Sequence, residues 1–410
     1  MGMTSSEPKR HDDVLPADWD WWAVGQFARI ITGPFGTLLK ASEYSASGEG
    51  VPVISVGEIR EGFFRIGSHT PRVSDTVTRR LPQFVLRAGD VVCGRKGSVD
   101  RSALVSHEEE GWFLGSDGIS VRPTGGIDPH YLAYQFQSAK VKDWVLQQST
   151  GTTMATLNQR ILAAATVPVP RTVAEQEAIA GALSDADALV KSLERLSVKK
   201  RLIKQGVMQE LLTGRRRLPG FEEEWQTRRL GDICDITMGA TPPRKDAKNW
   251  GAGHVWLSIA DMHGRTVEHS KEEITDAAAQ RFPAVPKGTL LMSFKLSIGR
   301  LCFAGRQLYT NEAICAFRNL KAEARFLYYQ LGVTDFSVYG KQAVKGYTLN
   351  SKSLRTVEVS LPMAEEQEAI SALLWTMDDE IEALEQRLQK TRQVKQGMMQ
   401  QLLAGRIRLV

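Results

Sequence analysis

KQGVMQELLTGRRRL occupies residues 204–218, and KQGMMQQLLAGRIRL occupies residues 395–409. The two stretches agree at 11 of 15 positions, at an offset of 191 residues. Reading backwards from them keeps the register. Glu175-Gln176-Glu177-Ala178-Ile179 returns, at the same offset, as Glu366-Gln367-Glu368-Ala369-Ile370. No residue is gained or lost between the two landmarks, which points to a segment whose length is a mechanical requirement.

The intervening residues read as a long amphipathic helix. Ile179, Leu183, Ala186, Val190 and Leu193 are spaced 4, 3, 4, 3, and Ile370, Leu374, Met377, Ile381 and Leu384 repeat the pattern. Alternating steps of four and three make a coiled-coil seam, with Glu, Lys, Arg and Gln on the faces between. Acids at the EQE segments suit helix starts, and Gly214 and Gly405 suit helix ends, with Pro219 stopping the first. About 40 residues at ~1.5 Å each give a rod of roughly 60 Å. One such rod cannot hide its stripe alone, but two equal rods can hide each other's.

The rest of the chain repeats with drifting offsets. Trp19, Gly25 and Ile30 correspond to Trp225, Gly231 and Ile236 at +206. GDVVCGRKGSVDR at 89–101 resembles GTLLMSFKLSIGR at 288–300 at +199, and the TLN at 156 answers the TLN at 348 at +192. Short β-branched runs such as VPVISV, FVLRAGDVVC, GISVRP and TLLMSF read as strands of a mixed sheet with helices between them. The expected architecture is α+β. Two similar mixed α/β domains are joined by two long antiparallel coiled-coil helices in a pseudo-twofold internal repeat. The expected boundaries are a disordered segment 1–14, a first domain 15–170, a central helix 171–217, a second domain 218–362 and a C-terminal helix 363–410.

Bulk composition agrees with that plan. A chain of 410 residues is too long for one ordinary core. Apolar content of 42% and charged content of 24% belong to a globular protein rather than a disordered one. No apolar run reaches the roughly 18–20 residues that cross a bilayer, and the N-terminal residues lack an apolar leader core, so a cytoplasmic location without a membrane partner is expected. The four cysteines and seven histidines show no metal-ligand spacing, so no metal is expected. A net charge of +5 permits a nucleic-acid partner without requiring one. The basic cluster from Lys199 to Arg217 fits a solvated helix end as well as a docking surface.

Catalytic motifs are missing. GDVVCGRKG misses the phosphate loop because Arg95 stands where its lysine belongs, and no helix pattern follows. The Pro-Pro at 242–243 lies in Thr-Pro-Pro-Arg, which is not an adenine-methyltransferase motif. No nucleophile elbow is present. The chain is therefore expected not to be an enzyme on its own.

The order EQEAIA, KQGVMQELLTGRRRLPGFEEEW, RRLGDI, followed by its own repeat, resembles the specificity subunit of type I restriction–modification systems. The resemblance covers nearly the whole chain. It implies two target-recognition domains, each reading one half of a split target in double-stranded DNA, held apart by two antiparallel helices. It also implies two modification subunits that methylate adenine N6, together with restriction and translocase subunits. S-adenosylmethionine, ATP and Mg would then sit on those partners, and this chain would bind no cofactor. Affinity for DNA comes mostly from basic side chains on phosphate, and sequence identity from contacts to base edges. The residues expected at DNA are Arg95, Lys96, Ser98, Arg101, Thr152 and Thr153 in the first domain. In the second they are Lys295, Ser297, Arg300, Lys345, Tyr347 and Thr348. A solvated turn explains each of these equally well. Asn158 and Asn350 fit helix capping better, and Trp19 and Trp225 fit the core. Glu175, Gln176, Lys204, Gln205, Glu366, Gln367, Lys395 and Gln396 are expected to dock the partner. A free-standing DNA-binding regulator is the alternative from another class. It needs no partner subunit and holds its site alone.

Overall fold

The computed structural model describes residues 15–45, 48–149, 155–295, 297–343 and 346–409, so the expected segment 1–14 lies outside the described residues. Two helices of 39 residues dominate, Val173–Leu211 and Ala364–Leu402. They begin 191 residues apart, as the repeat requires. Gly214 and Gly405 both adopt φ +69, the left-handed conformation that ends a helix without the penalty a Cβ carries.

The chain divides into two compact units, 1–194 with 386–410, and 195–385. The divisions after Glu194 and after Glu385 fall at one repeat position in the two helices. Each unit therefore holds a globular domain, the start of the helix that follows it, and the end of the other helix.

In the first unit the antiparallel sheet runs Ala28–Thr32, Gly118–Pro123, Val91–Gly94, Ser102–Leu104. A second sheet orders Tyr44–Ser45, Arg72–Val73, Val51–Ile54 and Phe113–Leu114. An antiparallel ribbon of Trp19–Ala23 with Thr166–Pro170 ties the domain's first strand to its last, and the long helix starts three residues later. The second unit repeats the plan. Its main sheet orders Asp235–Met238, Ile314–Arg318, Leu290–Ser293, Leu301–Ala304, Thr266–Val267, and the closing ribbon pairs Gln226–Arg229 with Glu358–Leu361. Buried alternate residues such as Val91, Cys93, Ile119 and Val121 face the first core. Leu290, Met292, Cys315 and Phe317 do the same in the second.

The seam residues have a different partner from the one periodicity suggests. Ile179 and Leu183 are fully buried, but in the core of the first domain beside Tyr131, Leu132 and Leu402. Ile370 and Leu374 are likewise buried in the second domain's core beside Leu211 and Leu212. The apolar stripe thus serves a domain at the helix start and continues onto the paired helix beyond it. In the first unit Asp187 pairs with Lys395 and Glu194 with Arg392, so rising numbers on one helix meet falling numbers on the other. In the second unit Lys200 pairs with Glu380 and Lys204 with Asp378, again antiparallel. No described helix is long and apolar enough to cross a membrane.

Candidate nucleic-acid interface and helix-end grooves

The first basic hairpin leaves the main sheet at Gly94. The Gly94 amide donates to Arg101 at 3.0 Å and the Val99 amide to Gly97 at 3.0 Å. A side chain at Gly94 would collide with the Ser98 carbonyl, so the turn closes tightly. Arg95 is half-buried; its guanidinium donates to the Ser116 carbonyl at 3.2 Å and lies 5.4 Å from the centre of the Phe35 ring. Lys96 is exposed and pairs with Asp117 at 3.2 Å. Ser98 and Arg101 are half-buried at the hairpin's base. Thr152 and Thr153 lie outside the described residues. The segment after them is placed against the hairpin, with the Leu157 amide donating to Arg95 and the Gly97 amide to Ala155.

The second domain builds the same junction. The Leu349 amide donates to the Phe294 carbonyl, the counterpart of Arg95 at +199. Lys295 follows it, with its ammonium 5.4 Å from the Phe294 ring. The backbone of Ser297 accepts the Ser293 hydroxyl, and exposed Arg300 donates to the Ile259 carbonyl at 3.3 Å. Lys345 lies outside the described residues. Tyr347 and Thr348 fall on the strand Gly346–Thr348, opposite Gln342 and Lys341. Asn158 and Asn350 cap the short helices that follow, accepting the amides of Ile161 and of Lys352 and Ser353, each at 2.9 Å. The asparagines are structural, and of the hairpin residues Lys96, Ser297 and Arg300 are exposed while Arg95, Ser98, Arg101 and Lys295 are half-buried.

The EQE segments are turned inward rather than exposed. Glu175, Gln176, Glu366 and Gln367 are all buried, and their polar atoms are spent inside their own unit. Glu366 receives both arms of Arg217 at 2.7 and 2.6 Å. Glu175 receives Arg408, which also reaches Asp18 at 2.9 and 2.6 Å. Gln176 accepts the Asp128 amide and donates to Pro170, while Gln367 accepts the Glu323 amide and donates to Pro362. A buried carboxylate needs a charged, hydrogen-bonded partner, and the arginine after each helix supplies it to the start of the other helix. Gly405 packs on Trp19 and Gly214 on Trp225, which closes the same junction. Sequence reading missed this exchange because it joins residues 149 and 233 positions apart. The signal was present in the arginine shared by both GRxRL tails.

Lys204, Gln205, Lys395 and Gln396 line grooves instead. A cavity of about 710 Å³ in the first unit is lined by Arg392, Lys395, Gln396, Met399 and Gln400. One of about 670 Å³ in the second is lined by Arg201, Lys204, Gln205, Met208 and Gln209. These are the same five residue types at the same five repeat positions. Lys395 meets Asp187 and Lys204 meets Asp378, each at 2.5 Å, and those aspartates accept the hydroxyls of Tyr134 and Tyr329. Burial, followed by the neighbouring aspartate, pushes both phenols far above their ordinary range. Both phenols therefore remain neutral donors to the aspartates that pair with the lysines. The walls differ. Trp21, Lys140 and Leu146 flank the first groove. Arg265, paired with Asp379 at 2.5 Å and Glu382 at 2.8 Å, flanks the second. Among the described residues no group of three or more His, Cys, Asp or Glu could hold a metal ion.

Two globular domains, each with an exposed cation on a hairpin of its main sheet (Lys96, Arg300) and each tied to a shared pair of helices, define a duplicated recognition subunit. The family described as "Type I restriction modification DNA specificity domain" matches twice, over residues 16–201 and 222–393, and the chain belongs to that family. It is 23% identical to the type I restriction enzyme MjaVIII specificity subunit of Methanocaldococcus jannaschii, over 97% of this chain and 95% of the relative. To the MjaIX specificity subunit of the same organism it is 29% identical over 39% of either chain. The crystal structure of a type I restriction-modification system S subunit from M. genitalium shares the fold at a TM-score of 0.62, with 14% identity, 98% of this chain and 99% of that one.

Proposed function

We propose that this chain is the DNA sequence-specificity subunit of a type I restriction–modification complex. Each domain reads one half of a bipartite duplex target, and the paired helices set the distance between the halves and dock two copies of a modification subunit. The observation that carries the docking is the pair of grooves. One surface written twice, in Arg, Lys, Gln, Met and Gln, suits two copies of one partner. The chain contributes no catalytic group. Adenine N6 methylation with S-adenosylmethionine, and ATP- and Mg-dependent translocation and cutting, belong to the partner subunits. The complex works in the cytoplasm and uses no membrane.

Mapping N6-methyladenine genome-wide, with and without the gene, is the test. A split motif that vanishes on deletion is expected. In the same cells, Gln400→Trp fills the first groove, and the purified assembly should fall from two modification subunits to one, with Gln209→Trp doing the same at the second. A chain that binds its motif tightly without partners, and whose loss leaves methylation unchanged, is instead a free-standing regulator.

A further inference from the structure

The loop after the strand Ala28–Thr32 is pinned at both ends yet shows an aromatic ring to solvent. Gly33 lies so close to the neighbouring strand connection that a Cβ would sit 1.8 Å from the Gly115 carbonyl. At the far end Leu39 is buried in the core of the second sheet. Between these anchors Phe35 is 61% exposed. A large apolar ring held out by a fixed loop is costly in water. Arg95 stands behind it, 5.4 Å from the ring centre. Its guanidinium is braced on Ser116, and its buried Nε has no hydrogen-bond partner. Exposed Lys96 is next in sequence.

We propose that Phe35, backed by Arg95, is an apolar wedge that the first domain inserts at a base step of its half-site. The inference rests on the DNA-specificity reading above. Proteins that kink duplexes push apolar side chains between base pairs and recover the unstacking cost through wider backbone contact, which basic neighbours supply. A complex that must present an adenine to a partner's pocket gains from a duplex already opened nearby. The device is confined to one domain. At +206, Gly33 becomes Gly239, whose Cβ would meet the Thr310 carbonyl at 2.1 Å, so the pinned loop is kept. Phe35, however, becomes Thr241, whose hydroxyl is turned to the Glu312 carboxylate. The second domain has a hydroxyl–carboxylate pair in the place of the wedge, so the two half-sites are distorted unequally.

The test uses the full chain assembled with its modification subunits. The probes are duplexes of the gene-dependent methylation motif, with 2-aminopurine placed in turn at each position of both half-sites apart from the methylated adenines. The wild-type complex should raise fluorescence at one step of one half-site only. Phe35→Ala should abolish that rise and weaken binding about tenfold, while Phe35→Trp keeps both. A Phe35→Ala complex with an unchanged fluorescence pattern and affinity within twofold overturns the wedge. So does one that loses modification subunits rather than DNA, because Phe35 then belongs to a protein contact. A wild-type complex that binds no motif duplex instead refutes the specificity reading itself, which keeps the two failures apart.

Discussion

Asp18 shows how a single side chain reports the closure of the first unit. Its carboxylate receives two arms of Arg408, and that hydrogen bonding, ahead of the Coulomb attraction of Arg408 and Arg171, holds its pKa below the ordinary carboxylate range. A carboxyl whose pKa is depressed on folding stabilises the fold above its unfolded pKa of ~3.9 and loses that contribution as pH falls through the folded value. Asp18→Asn should therefore lower the urea midpoint of the purified chain at pH 7. The gap to wild type should close as the pH drops below about 4. A gap that persists unchanged into that range means the Arg408 pair does not tie the tail down. Arg408 also serves buried Glu175, so the tail should loosen without detaching in this variant.

At the scale of the element, the two helices show which parts of a seam carry stability. Leu183 and Leu374 are fully buried in domain cores, whereas Leu202 is 62% exposed on the same type of helix. Leu183→Ala or Leu374→Ala should each cost ~2–5 kcal/mol by removing core contacts and leaving a cavity. Leu202→Ala should stay within about 0.5 kcal/mol. Equal losses at all three, measured by chemical denaturation, mean that the buried ends have no special tie to the domains. The contrast also marks how far the sequence was legible. Spacing of four and three identified the helices and the repeat identified their ends, because both follow from local geometry. Periodicity says which face is apolar but not what covers it, so the burial of Ile179 and Ile370 in domain cores could not be read. The same holds for Glu175 and Glu366, where acids at a helix start looked like exposed N-terminal charge. Their arginine partners arrive from the end of the other helix. Lys204 and Lys395 were legible as repeated helix-end positions, because duplication needs no tertiary information to be noticed. Phe35 was not, since a lone aromatic beside Pro and Gly carries no periodic signal.

Across the whole chain, the constant offset of 191 is the quantity that the two long helices share. Both long helices start in one compact unit and end in the other, and the divisions fall at Glu194 and Glu385, one repeat apart. Inserting four residues after each of these positions lengthens both helices together by ~6 Å and adds ~40° of rotation. A base-pair step adds ~3.4 Å and roughly 35°. The rotation therefore favours one added base pair in the gap between half-sites, and the translation favours two. The doubly extended chain should methylate a motif whose half-sites are unchanged and whose gap is longer by one or two. Extending one helix alone breaks the register of the Lys204–Asp378 and Lys395–Asp187 pairs and should abolish assembly rather than shift the gap. Methylation maps of the two strains decide the matter. An unchanged gap, or altered bases within a half-site, means that the helices do not measure the target.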